Sequence, residues 1–141
     1  MGTRSNIGIL NEDGTVTTIY CHWDGNPESN GQLLLEHYQT EEKIRQLLKL
    51  GDLSHLGPEI GEEIPESYKH NIRLTYGRDD TRCFAYGRDL GETDVDSENH
   101  RTMEEARVRM EEYLYIWTAG KWLYSDHGRA FQVLESDKGK T

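Results

Sequence analysis

The sequence predicts an α+β fold: a single domain in which an antiparallel β-sheet carries two or three helices packed on one face. Three stretches support this. In SNIGILNEDGTVTTIYCHWDG, two β-rich runs flank Asp13-Gly14, a two-residue turn signal. In TEEKIRQLLKLGD and TMEEARVRMEEYLYIW, a threonine in N-cap position precedes acidic first-turn residues and apolar residues at helical spacing. In YLYIWTAGKWLYSD, two aromatic runs flank Ala119-Gly120, as expected of paired strands.

Taken in order, the first hairpin has a register set by its turn. A two-residue turn at Asp13-Gly14 puts Glu12 opposite Thr15, Ile7 opposite Tyr20, Ser5 opposite His22 and Arg4 opposite Trp23. SNGQLLLEHY reads as a helical piece. In the next, Thr40 is the N-cap, Ile44, Leu47 and Leu48 form the apolar stripe, and Gly51 ends the helix, so helices are expected within 32–50. From Leu53 to Ser67, glycine, proline and glutamate predict an irregular connection. NIRLTYG and TRCFAYG read as a second strand pair around RDD, and DLGETDVDSENH as an acidic loop. Thr102 and Glu105 have capping-box spacing, which predicts a helix within about Met103 to Tyr113. AFQVLE is a last apolar piece, and from about residue 136 the tail SDKGKT is expected to fray. YGRD occurs at Tyr76 to Asp79 and again at Tyr86 to Asp89, a period too short for a repeat architecture.

At 141 residues the chain can bury a core without staples. Only 34% of it is apolar and 30% is charged, so the core should be small beneath a charged surface. No apolar run is long enough to span a membrane, and MGTRSN lacks signal-peptide order, so a cytoplasmic protein is expected. The formal charge of −10 disfavours direct contact with nucleic acid and favours basic protein partners. Residues 1–70 hold 12 acids and 5 bases (net −7), and residues 71–141 hold 14 and 11 (net −3). Without CxxC spacing, Cys21 and Cys83 read as reduced, buried thiols.

The candidate chemistry concentrates in IYCHWDG. Alternation sends Ile19, Cys21 and Trp23 to one face and Tyr20, His22 and Asp24 to the other, where the expected register adds Ser5. A Ser5-His22-Asp24 arrangement would follow, although no oxyanion-donor motif surrounds Ser5. The plainer reading makes this a wet sheet edge, with Trp23 anchoring the core and His22 dispensable for stability. Counting from Asp94, carboxylates at Asp94, Asp96, Glu98 and Glu105 match calcium-loop spacing, but Asn99 stands where the turn glycine belongs. Six histidines form no i, i+3 or i, i+4 pair, so no metal or other cofactor is expected. Tyr113, Tyr115, Trp117, Trp122 and Tyr124 suggest either sheet core or a base-stacking platform. Arg88 beside Asp89 suggests either an anion site or an internal pair.

GTRSNIGI followed by DG, then IYCHWDG, GQLLLEHY, LGDLSHLG, YGRDLGE and EEYLYIWTAGKW, in that order, resembles a family of small proteins encoded by bacteriophages and prophages. Two positions depart from the family pattern: Asn26 follows HWDG where an aromatic is usual, and Leu114 replaces Asn. The resemblance implies a phage origin and supplies no catalytic residues. With the charge and the incomplete catalytic constellation, it leads to an expected non-enzymatic protein that binds a host or defence protein with a basic surface. Two alternatives remain open. One is an enzyme or nucleotide-binding protein using Arg4, Ser5, His22, Trp23 and Asp24, joined by Arg88; the other is mimicry of nucleic acid by the acidic surface.

Overall fold

A computed structural model describes residues 3–62 and 82–135. Strands β1 (Ser5–Leu10) and β2 (Val16–Cys21) form the first hairpin. A π-helical turn, Pro27–Gly31, runs into α1 (Gln32–His37), and α2 (Glu41–Lys49) follows. Then come β3 (Leu53–His55), β4 (Phe84–Ala85), α3 (Tyr86–Leu90), β5 (Glu98–His100) and α4 (Met103–Val108). The chain ends in β6 (Tyr113–Thr118), β7 (Lys121–Asp126) and β8 (Gln132–Val133).

The α+β class holds, while the all-antiparallel sheet and the single helical face need correction. Strand order is β4-β3-β2-β1-β6-β7-β8, with β5 also pairing with β2. The central pair β1 and β6 is parallel, as is the single β2–β3 pairing of Cys21 with Leu53. Alternation then divides the apolar side chains. Ile7, Ile19, Tyr115 and Trp122 join α1 and α2 in the larger core. Val16, Leu114 and Ile116 pack with Ala106 of α4 on the other face. Each face carries apolar residues that must leave water, so helices cover both.

Local signals held where they were strongest. Thr40 accepts from the Lys43 amide at 3.2 Å, Thr102 accepts from the Glu105 amide at 3.1 Å, and Ala119 and Gly120 turn with positive φ between β6 and β7. Cys21 and Cys83 are free and buried.

Other expectations moved. The first turn is longer than two residues: the Asn11 amide donates to Thr15 O at 2.8 Å, and Gly14 takes a φ of 90° that suits glycine. Ser5 therefore faces Cys21, and Ile7 faces Ile19. Residues 53–55 form a strand in the stretch expected to be irregular, and its partner is β4. Tyr86 to Asp89 is helical rather than extended. Helix α4 ends at Val108, because Tyr113 belongs to β6 and pairs with Ser5. The segment NIRLTYG, the first YGRD and the tail from 136 lie outside the described residues.

Candidate functional site

The open end of the first hairpin does not assemble a Ser-His-Asp arrangement. Ser5 is fully buried on the core side opposite Cys21, and its hydroxyl has no hydrogen-bond partner among the described residues. His22 lies just beyond β2, and its Nδ1 shares a 2.6 Å hydrogen bond with the Tyr20 hydroxyl. Asp24 is exposed with a φ of 58°, and Arg4 is exposed just before β1. Trp23 is half-buried rather than a core anchor. Its ring meets His22 edge-on at 4.8 Å and stacks on His55 at 6.1 Å, and His55 in turn meets Phe84. This end is therefore a row of rings, and among the described residues Ser5 is buried away from His22.

The thiols offer no nucleophile either. Burial pushes the Cys21 thiol up to about 12 and raises that of Cys83, so both stay protonated near neutral pH. Arg88 is not available to an anion. Its Nε donates to Asp89 Oδ1 at 3.0 Å, its Nη1 donates to the Ile60 and Gly61 carbonyls, and its Nη2 donates to that of Cys83. Tyr115, Trp117 and Trp122 are buried core, which leaves no five-residue stacking platform.

The acidic loop is pinned beside a cleft. The Asp52 amide donates to Val95 O at 2.7 Å, and Thr17 Oγ1 bonds Asn99 Oδ1 at 2.7 Å. Gly51, at a φ of 76°, allows the approach, since a Cβ there would lie 2.2 Å from Val95 O. Asp94 and Asp96 remain exposed, while Glu98 joins Asn6, Thr18, Tyr20, Asp52, Arg109 and Glu111 around a cleft of about 340 Å³. Thr18, one of the lining residues, holds its Oγ1 3.0 Å from Nε2 of the buried His100. His100 is buried, and its Nδ1 has no partner among the described residues. Among the described residues, no group of three or more His, Cys, Asp or Glu side chains is placed to hold a metal ion.

Asp52 carries the electrostatic character of this cleft. Its carboxylate accepts from the Tyr20 amide at 3.0 Å, yet burial first, and then repulsion from Glu98 and Asp96, hold its pKa above the usual carboxylate value. A carboxyl of this kind binds a proton more readily folded than unfolded, so it favours folding below about pH 3.9 and loses that effect as pH rises through its folded pKa. Asp52→Asn keeps the acceptor oxygen and removes the charge. The expected result is a higher Tm at pH 7 that converges with wild type in acid, checked by thermal melts across pH; a lower Tm at pH 7 would contradict it.

A second cleft, of about 410 Å³, lies beside the opposite face of the sheet. Tyr113, Tyr124 and Asp126 line it from β6 and β7, Pro27, Glu28 and Gln32 from the π-helical turn and α1, and Gln132 to Glu135 from β8 and the two residues after it.

Sequence reasoning found Glu98 and the aromatic pair but missed Asp52 and Glu111 as members of a site. Neither stands in a motif. They meet only because β3 docks beside β2, and because the Glu111 amide donates to Asn6 Oδ1 at 2.7 Å. No protein-family model, curated protein or solved structure matches the chain.

Proposed function

We propose that this is a small phage-encoded binding protein without enzymatic activity, which engages a basic surface of a host or anti-phage defence protein through the acidic cleft and its loop. The carrying observation is the convergence of Asp52, Glu98 and Glu111 on one cleft in which, among the described residues, Arg109 is the one cationic lining residue, with exposed Asp94 and Asp96 on the same loop just before Glu98. Carboxylates that repel one another are stabilised when a partner brings lysine or arginine between them, and the same field speeds encounter with a basic surface. The phage assignment rests on the ordered motifs of the sequence. Among the described residues no helix is long and apolar enough to cross a membrane, which is compatible with a partner met in aqueous solution.

The test begins with capture of the partner from expressing or infected cells and proceeds to association kinetics. Changing Asp94, Asp96 and Glu98 to lysine should slow association by about tenfold or more and flatten its salt dependence, with the melting profile retained. An unchanged on-rate would remove the loop and cleft as the contact. A captured partner with an acidic face, or capture of nucleic acid, would overturn the reading.

A further inference from the structure

The second cleft has two tyrosines in its wall, Tyr113 and Tyr124. Tyr113, Tyr115 and Tyr124 form a row, with ring centroids 6.5 and 6.2 Å apart and planes within 17° and 26°. Tyr115 is locked in the core by its hydroxyl, which donates to Gly25 O at 2.6 Å, so the two outer rings stand on a fixed base. The same cleft is lined by three acidic residues, Glu28, Asp126 and Glu135, and by Pro27 and Val133. Val133 is 48% exposed on the terminal strand of the sheet. The carboxylates act on the rings: beyond burial, Asp126 and Glu28 are the leading charges that raise the Tyr113 phenol above its usual value.

We propose that this cleft is a second recognition site, which takes the side chain of an arginine presented by a partner protein. The volume suits one flexible side chain or small ligand. Aliphatic lining accommodates the methylene stem, the tyrosine rings accept a cation, and the carboxylates accept N–H donors. Arginine fits better than lysine, because a planar, weakly hydrated guanidinium stacks on rings and divides its five donors among several oxygens. Asp126 already meets nitrogen donors of its own chain at the rim, with His127 Nδ1 paired to its Oδ1 and Arg129 Nη1 3.3 Å from its Oδ2. The proposal rests on the basic-partner reading for the owner of the arginine, but the site itself can be probed without that partner.

The probe is N-acetyl-arginine amide, titrated into the intact protein and followed by NMR of the tyrosine rings, with the neutral isostere N-acetyl-citrulline amide beside it. Saturable shifts at Tyr113 and Tyr124 are expected with arginine, with citrulline binding weaker by about tenfold or more. Glu28→Lys, an exposed substitution, should abolish those shifts. The variant reversed at Asp94, Asp96 and Glu98 should bind the probe like wild type, because its changes lie at the other cleft. Equal binding of citrulline, shifts confined to residues around Asp52, or full binding by Glu28→Lys would each overturn the proposal. Failure of the loop variant to slow partner association while arginine still binds would sink only the first reading.

Discussion

Replacing Asp89 with alanine is expected to cost about 3–5 kcal/mol, the range for removing one partner of a buried ion pair. The Asp89 side chain is fully buried and that of Arg88 is 16% exposed. Two guanidinium nitrogens reach the carboxylate at 3.0 and 3.2 Å, and its Oδ2 also accepts the Ala85 amide at 2.7 Å, just before α3 begins. Alanine would leave a cation without its counter-charge and a buried amide without its acceptor. Asp89→Asn keeps one acceptor oxygen and should fall between wild type and alanine. Arg88→Lys should also be costly, because one ammonium cannot span Asp89, Ile60, Gly61 and Cys83 as the guanidinium does. Urea melts of the three variants measure this. A loss below about 1 kcal/mol for Asp89→Ala, the size of an ordinary substitution, would show that the pair is dispensable.

Trp122→Ala should cost about 3–5 kcal/mol, a large share of the 5–15 kcal/mol that usually holds a domain together. Trp122 is 1% exposed, packs against Trp117 across the β6–β7 pair with centroids 5.5 Å apart, and donates from Nε1 to Tyr38 O at 2.9 Å. Its removal would open a cavity and take away the indole donor to the Tyr38 carbonyl. Trp23→Ala should cost only about 1 kcal/mol, because that indole is half-buried among His22 and His55 at the rim. Parallel denaturant melts decide between them, and a larger loss for Trp23 would invert this assignment of the core.

Trp23 shows how far local pattern reaches. Strict alternation would keep it on the face of Cys21, but β2 stops at Cys21, and Asp24 turns the chain with a positive φ. The hairpin itself was legible, because Asp13-Gly14 between β-rich runs is a short-range signal. Its register was not. The turn extends from Asn11 to Thr15, where Asp13 Oδ1 accepts from both the amide and the hydroxyl of Thr15. That one-residue slip moved Ser5 from His22 to Cys21 and dissolved the candidate triad. The start of α4 was legible from Thr102 and Glu105. Its end was not, because the tyrosines after Met110 are claimed by a strand partner far back in the chain.

By itself, the sequence determined the α+β class, the two threonine-capped helix starts, the turn at Ala119-Gly120, the apolar stripe of α2 and the buried thiols. These depend on residues a few positions apart, or on composition. Only the tertiary structure decided the parallel pairing of β1 with β6, the covering of both sheet faces, the internal use of Arg88, and the two acidic clefts. Each of those arises between distant segments: Thr17 meets Asn99 across 82 positions, and Tyr115 meets Gly25 across 90. No short-range preference encodes such contacts; they form when burial of the whole apolar set selects one packing.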